Sequence, residues 1–295
     1  MMQHPLSTIL LATDGSADAT LAERAAADLA MKTGAALHVI HTWEPMGVAP
    51  YSYVGMADSY YDPLIFESDA RAVLDKSVHQ IEARGGKIAG QHLRMGRTVD
   101  EIAALAASLD ADLICIGSRG LGPVRRLVLG SVSEGLVHTA DRPVLIMRGG
   151  EAAWPPAQLV IGDDGSRDAA RAAELASTLA ALCGASATLV YAIPGKALAT
   201  HRDATLAPAS PIFAVSGLAS ATLSEPTLHD ELIAQAYSAL QERAIALAGR
   251  IGSEPHVVTA FADAATLLLD TTAADPQPAL LVVGSRGLGS VEESW

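Results

Sequence analysis

The sequence predicts an α/β protein built from two copies of an open parallel sheet, each with helices on both faces. Its 295 residues suffice for about two domains. Short apolar runs alternate with Ala-rich helical segments, the pattern of βαβ units. The runs are apolar throughout, as in Asp112–Gly117 (DLICIG), which suits strands covered on both faces. The landmarks of the first half also recur in the second, so the repeat unit is a whole domain rather than a solenoid turn.

A first strand is expected at 6–13 and stops at Asp14-Gly15-Ser16. The Ala-rich segment 17–33 reads as a helix ended by Gly34, because glycine readily takes the left-handed conformation that closes a helix. LHVIH (Leu37–His41) lies in a strand at 36–41. A loop at Trp43–Pro63, rich in Tyr and Gly, separates it from a helix at 64–84. A strand at 87–95 follows, then a helix at 98–109 in which Val99, Ile102, Leu105 and Leu109 share one face. The next strand, 111–117, runs into a glycine-rich loop, GSRGLGPVRRLVLGSVSEG (Gly117–Gly135). A helix at 131–140 and a strand at 143–148 complete the copy. Ser131-x-x-Glu134 reads as a capping box with Ser131 at the N-cap.

TILLATDGSAD (Thr8–Asp18) recurs as QLVIGDDGSRD (Gln158–Asp168), and LICIGSRGLG (Leu113–Gly122) as LLVVGSRGLG (Leu280–Gly289). Helix 167–183, ended by Gly184, and the strand-like Thr188–Ala192 repeat the pattern between them. The spacing between landmarks grows in the second copy, and the extra length is assigned to Pro194–Pro226, rich in Ala, Ser, Thr and Pro. The expected domains are 1–149 and 158–295, with Gly149–Ala157 (GGEAAWPPA) as linker. The repeat puts the counterparts of Gly130 and Ser131 beyond Trp295. Copy two is therefore expected to lack its last helix and strand, leaving Leu280–Val283 as a sheet edge.

Composition excludes several classes of function. A net charge of -13 and a pI near 5.0 disfavour nucleic acid and anionic membrane as partners. Aromatic residues make up only 4%, too few for a base-stacking platform. Cys115 and Cys183 form no CxxC pair and no zinc spacing, which suits a reducing compartment. Cys115, inside LICIG, reads as a buried hydrophobe. Met1–Ser7 has no basic segment leading into an apolar run, and no apolar run is long enough to span a bilayer, so a cytoplasmic protein is expected. His38 and His41 read as packed or strand-end residues, since no HxH or HxxxH spacing supports a metal. GxGxxG after strand one and GxxxxGK[ST] are both missing, which argues against a dehydrogenase and a P-loop ATPase.

Asp14 follows the first strand and Gly117 the fourth. Ligands of open α/β sheets bind beyond the carboxyl ends of strands, where strand order reverses, so both motifs would line one crevice. Glycines allow backbone N–H groups to approach a phosphate, and the next helix N-terminus adds partial positive charge. Arg119, Arg125 and Arg126 bring cations to that loop. Asp14-Gly15-Ser16 also has a purely structural reading, as a turn with a helix cap.

Gly117-x-x-Gly120, nine residues, then Gly130-Ser131 resembles the G-2x-G-9x-G-[S/T] pattern of nucleotide-binding universal stress proteins. The strand ending in Asp14, the triplet Leu37–Val39 and the segment Arg142–Ile146 are similar to that family as well. The likeness covers copy one and most of copy two, so the chain resembles a tandem universal stress protein with the Rossmann-like, adenine nucleotide alpha hydrolase-like fold. The resemblance implies ATP or another adenine nucleotide as ligand. Asp14 would lie beside the nucleoside and the backbone of Val39 would contact adenine. Gly117 and Gly120, with Arg119 between them, would wrap ribose and phosphates, and Gly130, Ser131, Val132 and Ser133 would hold the phosphates. Mg would be held mainly by phosphate oxygens, with no protein metal site and no catalytic residue. An intramolecular pseudo-dimer or a homodimer is implied too. The expected function is an ATP-binding regulatory protein of the stress response with little or no turnover. The alternatives are a dimerisation or partner-docking protein that binds no nucleotide, and a slow ATP hydrolase or autophosphorylating protein. Copy two is expected not to hold a triphosphate.

Overall fold

The side-chain pattern of the central strands decides the layering. The computed structural model describes residues 6–44, 63–118, 129–149, 153–193 and 225–285. The chain divides into two units, Met1–Trp154 and Pro155–Trp295, and the division falls inside the segment predicted as linker. The expected loops at Trp43–Pro63 and Pro194–Pro226 lie almost wholly outside the described residues.

Unit 1 runs β1 (Thr8–Ala12), α1 (Ala17–Thr33), β2 (Ala36–Trp43), α2 (Pro63–Ala83), β3 (Ile88–Met95), α3 (Thr98–Ser108), β4 (Leu113–Gly117), α4 (Ser131–Thr139) and β5 (Val144–Met147). Its five strands are ordered β3-β2-β1-β4-β5, and every described pairing is parallel. The order reverses between β1 and β4, as the crevice argument required. Alternation along each strand sends Leu10, Ala12, Ile114 and Ile116 to the face covered by α3 and α4, where Ile102, Leu105 and Leu136 complete a buried cluster. The opposite face meets α1 and α2. Ile9, Leu11, Leu113 and Cys115 are essentially inaccessible to solvent. Burial pushes the Cys115 thiol up to about 12, so it packs as a small hydrophobe. Ser16 caps α1 by accepting from the Ala19 N–H, and left-handed Gly34 (φ 75°) closes it. Trp154 is buried, and its Nε1 donates to Asp28 Oδ2 on α1 at 3.0 Å, fixing the end of the linker to unit 1.

Unit 2 repeats the frame with β6 (Gln158–Gly162), α5 (Arg167–Cys183), β7 (Ser186–Ile193), α6 (Glu225–Ile251), β8 (His256–Phe261), α7 (Ala264–Ala273) and β9 (Ala279–Val282). Among the described residues the sheet has four strands in the order β8-β7-β6-β9, one fewer than unit 1. The consequence shows in burial. Every residue of β4 is buried, whereas no residue of β9 is, and Leu281 and Val283 are 38% and 53% exposed. In α3, Ile102, Leu105 and Ala106 are buried, whereas α7 buries no residue and Leu269 is 60% exposed.

The two units solve one internal problem with opposite charges. The residue preceding the Asp-Gly-Ser turn supplies a side-chain oxygen to the turn's glycine N–H: Thr13 Oγ1 to Gly15 at 3.2 Å, and Asp163 Oδ1 to Gly165 at 2.9 Å. In unit 1, Thr13 Oγ1 donates to Glu23 Oε1 at 2.9 Å and lies 3.1 Å from Ser77 Oγ. In unit 2, Ala173 stands where Glu23 would be, and Arg243 Nη1 reaches both oxygens of buried Asp163 at 2.6 Å. Burial pushes the Glu23 carboxyl above its ordinary value, while hydrogen bonds from Ser77 and Thr13 and the cations Arg84 and Lys76 pull the other way. Glu23 Oε2 is buried and has no hydrogen-bond partner among the described residues.

Two stability measurements follow from these contacts. Arg243→Met strands a buried carboxylate, which typically costs about 3 kcal/mol. Adding Asp163→Thr, the unit 1 solution, is expected to recover most of the loss in urea unfolding. An Arg243→Met chain as stable as the parent would refute this ion-pair account. Folded Glu23 holds its proton more tightly than the unfolded chain does. Its contribution is therefore full at pH below the ordinary glutamate value and is lost as pH rises through the raised one. Glu23→Gln is expected to gain stability relative to the parent as pH climbs through that window. A constant difference in urea midpoint across it would sink the assignment.

Candidate functional site

The cleft lies at the carboxyl ends of β1, β2 and β4. Asp14 Oδ1 accepts the Ser16 N–H at 3.0 Å, so this carboxylate folds the turn as well as bordering the cleft. The structural reading of Asp14-Gly15-Ser16, a turn with a helix cap, is the one these bonds show. Unit 2 builds the same turn, with Asp164 Oδ1 accepting from Ser166 at 2.9 Å.

Gly117 sets the depth of the cleft. A Cβ at this position would sit 2.6 Å from the Ala19 backbone nitrogen, so only glycine lets β4 run in against the first turn of α1. The approach is tied by Ser118 Oγ donating to Asp18 Oδ2 at 2.6 Å. The Ser118 N–H donates to the Met147 carbonyl, and the Gly130 N–H to the Ser118 carbonyl, both at 2.7 Å. The segment between Ser118 and Gly130 thus leaves and returns at one point. Arg119, Gly120, Arg125 and Arg126, which the sequence assigned to this segment, lie outside the described residues.

The start of α4 differs from expectation. Gly130, not Ser131, is the N-cap, and its conformation is extended. Ser131 is already the first helical residue, so the predicted Ser131–Glu134 capping box does not form. Instead, the Glu134 N–H makes an ordinary helical bond to the Gly130 carbonyl at 2.9 Å. Among the described residues no side chain caps this helix. Gly130, Ser131, Val132 and Ser133 all line the cleft, so the uncapped N–H groups of the first turn lie at its wall. Ser133 plays a further part: its hydroxyl is buried and donates to the Gly117 carbonyl at 2.9 Å, strapping α4 to β4.

The side chain of Val39 is fully buried, and the residues of β2 that line the cleft are Ile40, His41 and Thr42. The strand runs two residues further than the sequence suggested, to Trp43, so its cleft-facing end lies beyond Val39. His41 Nδ1 is 2.7 Å from the Thr13 carbonyl. A carbonyl only accepts, so Nδ1 carries the proton. His38 finds a partner invisible to a spacing rule: its Nδ1 lies 3.0 Å from His92 Nε2 on the neighbouring strand. Burial holds both imidazoles below the ordinary histidine value. Among the described residues no group of three or more His, Cys, Asp or Glu could hold a metal ion.

The cleft measures about 570 Å³. One side is hydrocarbon, formed by Ala12, Ile40, Ile102 and Ile116, and the polar groups on it include Thr42 and Thr98. Its carboxylates are Asp14 and Glu134, and among the described residues no lysine or arginine lines it. An anion here would rely on the N–H groups of α4 and its positive dipole end. The corresponding cleft of unit 2 measures about 150 Å³. Gly284 preserves the close approach, since a Cβ there would lie 2.8 Å from the Ala169 nitrogen. Tyr191, Ala192 and Ala264 replace His41, Thr42 and Thr98 around it.

Comparison with known proteins places this architecture. A universal stress protein in the QAH/OAS sulfhydrylase 3' region of Thermus aquaticus is 35% identical over 146 residues, covering 48% of this chain and 98% of that protein. The crystal structure of a universal stress protein from Archaeoglobus fulgidus DSM 4304 superposes over 95% of this chain and 87% of its own, with a TM-score of 0.57 and 19% identity, a likeness of fold. Another Archaeoglobus fulgidus universal stress protein, solved in complex with dAMP, matches 48% of this chain and 98% of its own at 26% identity and a TM-score of 0.35. The universal stress protein family model matches residues 5–148 and again 157–294, so the chain belongs to that family and carries its domain twice.

Proposed function

We propose that unit 1 binds an adenine nucleotide, ATP in the first instance, and that the protein acts as a nucleotide-responsive regulator in the stress response rather than as a fast enzyme. The observation that carries this reading is the uncapped first turn of α4 at the wall of a cleft whose other side is hydrocarbon. A phosphate chain suits the first feature and a purine the second. Asp14 borders the nucleoside, Gly117 keeps the backbone close, and Gly130 to Ser133 offer the phosphate N–H groups. Arg119 and Gly120 belong to the same proposed cradle, as the sequence motif implies. Mg, when bound, supplies charge neutralisation on the phosphates.

The carboxylates at the cleft support little turnover. Asp14 is engaged by the turn and Glu134 sits on α4. Hydrolysis slower than about 1 per second is expected, below the usual enzyme median. Nucleotide binding favours the state in which the first turn of α4 is held against the end of β4, which is how occupancy would reach a partner. Unit 2 would serve as a docking or pairing domain, since among its described residues no counterpart of the first turn of α4 lines its smaller cleft.

Isothermal titration with ATP is expected to give about one site per chain. Ser131→Ala removes one hydrogen bond to a charged group and is expected to weaken binding about tenfold. Asp14→Ala is expected to weaken it further by loosening the turn. No heat and no thermal shift at millimolar ATP would overturn the reading. Two equal sites per chain would overturn the assignment of unit 2.

A further inference from the structure

We infer that Thr42 and Thr98 form a base-reading pair that sets the purine specificity of unit 1. The inference rests on the nucleotide reading above and adds residues that the glycine motif does not contain. Thr42 comes from the end of β2 and Thr98 opens α3, and Thr42 Oγ1 donates to Thr98 Oγ1 at 2.9 Å. Both line the cleft beside the hydrocarbon of Ile40 and Ile102.

Position argues for the base rather than the phosphates. The strand order β2-β1-β4 puts the end of β2 two strand spacings, roughly 10 Å, from β4. Gly117 and the start of α4 lie at the β4 side, joined by the Ser133 hydroxyl. A nucleoside spans that distance, so a ligand with its phosphates on α4 places its base at Thr42 and Thr98.

Chemistry points the same way. With the Thr42 proton given to Thr98, the pair presents an acceptor at Thr42 Oγ1 beside a donor at Thr98 Oγ1. Adenine carries the complement, a 6-amino donor next to a ring-nitrogen acceptor. In unit 2 the seventh residue of β7 is Ala192 and the first of α7 is Ala264. Both hydroxyls are missing together from the copy whose cleft is about a quarter as large.

The test compares ATP with purine riboside triphosphate, which has hydrogen in place of the 6-amino group. The full chain is expected to prefer ATP about tenfold, the worth of a hydrogen bond made in an apolar cleft. Thr42→Val and Thr98→Val are each expected to bring that ratio close to one, chiefly by weakening ATP. Thr42→Ser and Thr98→Ser keep the hydroxyls and are expected to keep the ratio, which guards against a valine variant that folds poorly. A ratio near ten in both valine variants would overturn the inference. So would an equal loss for both ligands, the mark of a bond that only ties β2 to α3. Failure of the unaltered chain to bind ATP would instead remove the nucleotide reading itself.

Discussion

The site depends on one close approach, that of the fourth strand of each sheet to the first turn of the helix after the first strand. Gly117 and Gly284 each bring backbone to a distance where a Cβ would lie 2.6 and 2.8 Å from the helix nitrogen. Such contact is closed to any other residue without moving the strand or the helix. It fixes the relative height of the two strand ends between which the order reverses, and the crevice is the space above them. Ser118 to Asp18 in unit 1 and Ser285 to Asp168 in unit 2, at 2.6 and 3.4 Å, repeat the clasp.

Around that constant frame the copies diverge in the buried polar groups, where changes must be made in concert. Thr13, Glu23 and Ser77 correspond to Asp163, Ala173 and Arg243. An aspartate beside Glu23, or an arginine without Asp163, would leave a buried charge unmatched. The sheet tolerates both solutions because each satisfies the turn's glycine N–H, with Arg243 taking up both oxygens of Asp163 in unit 2 and Thr13 taking up one oxygen of Glu23 in unit 1. The same holds at the mouth of the cleft, where a hydroxyl pair in unit 1 is a pair of alanines in unit 2. A single fold thus carries two clefts of different size and lining, about 570 and about 150 Å³ among the described residues.

Burial shows what the fifth strand and its helix do for unit 1. With β5 and α4 present, β4 and the inner face of α3 are covered, and their apolar residues are buried. Among the described residues of unit 2, β9 has no outer neighbour, and its side chains and those of α7 remain partly or largely exposed. Leu280–Val283 is apolar along its length, and among the described residues it stands at the sheet edge expected from the sequence, with partial burial.

Much of this was legible in the residues themselves. Strand and helix succession, the internal repeat, the helix-closing Gly34 and Gly184, and the buried Cys115 follow from local rules: hydrophobic runs, glycine conformation and recurrence along the chain. The glycine pattern pointed to the crevice because it records where backbone must come close. What the sequence by itself could not decide were matters of contact between distant segments. Ser131 had the spacing of a cap, yet the chain's return to Ser118 places Gly130 at the cap and leaves the turn uncapped. The length of the second strand, two residues beyond its expected end, is what carries Thr42 to the cleft beside His41. His38 with His92, Thr42 with Thr98, and Glu23 beneath Thr13 are meetings across strands and helices. A linear pattern fixes which face of its own element a residue takes, but only tertiary packing fixes what stands opposite that face.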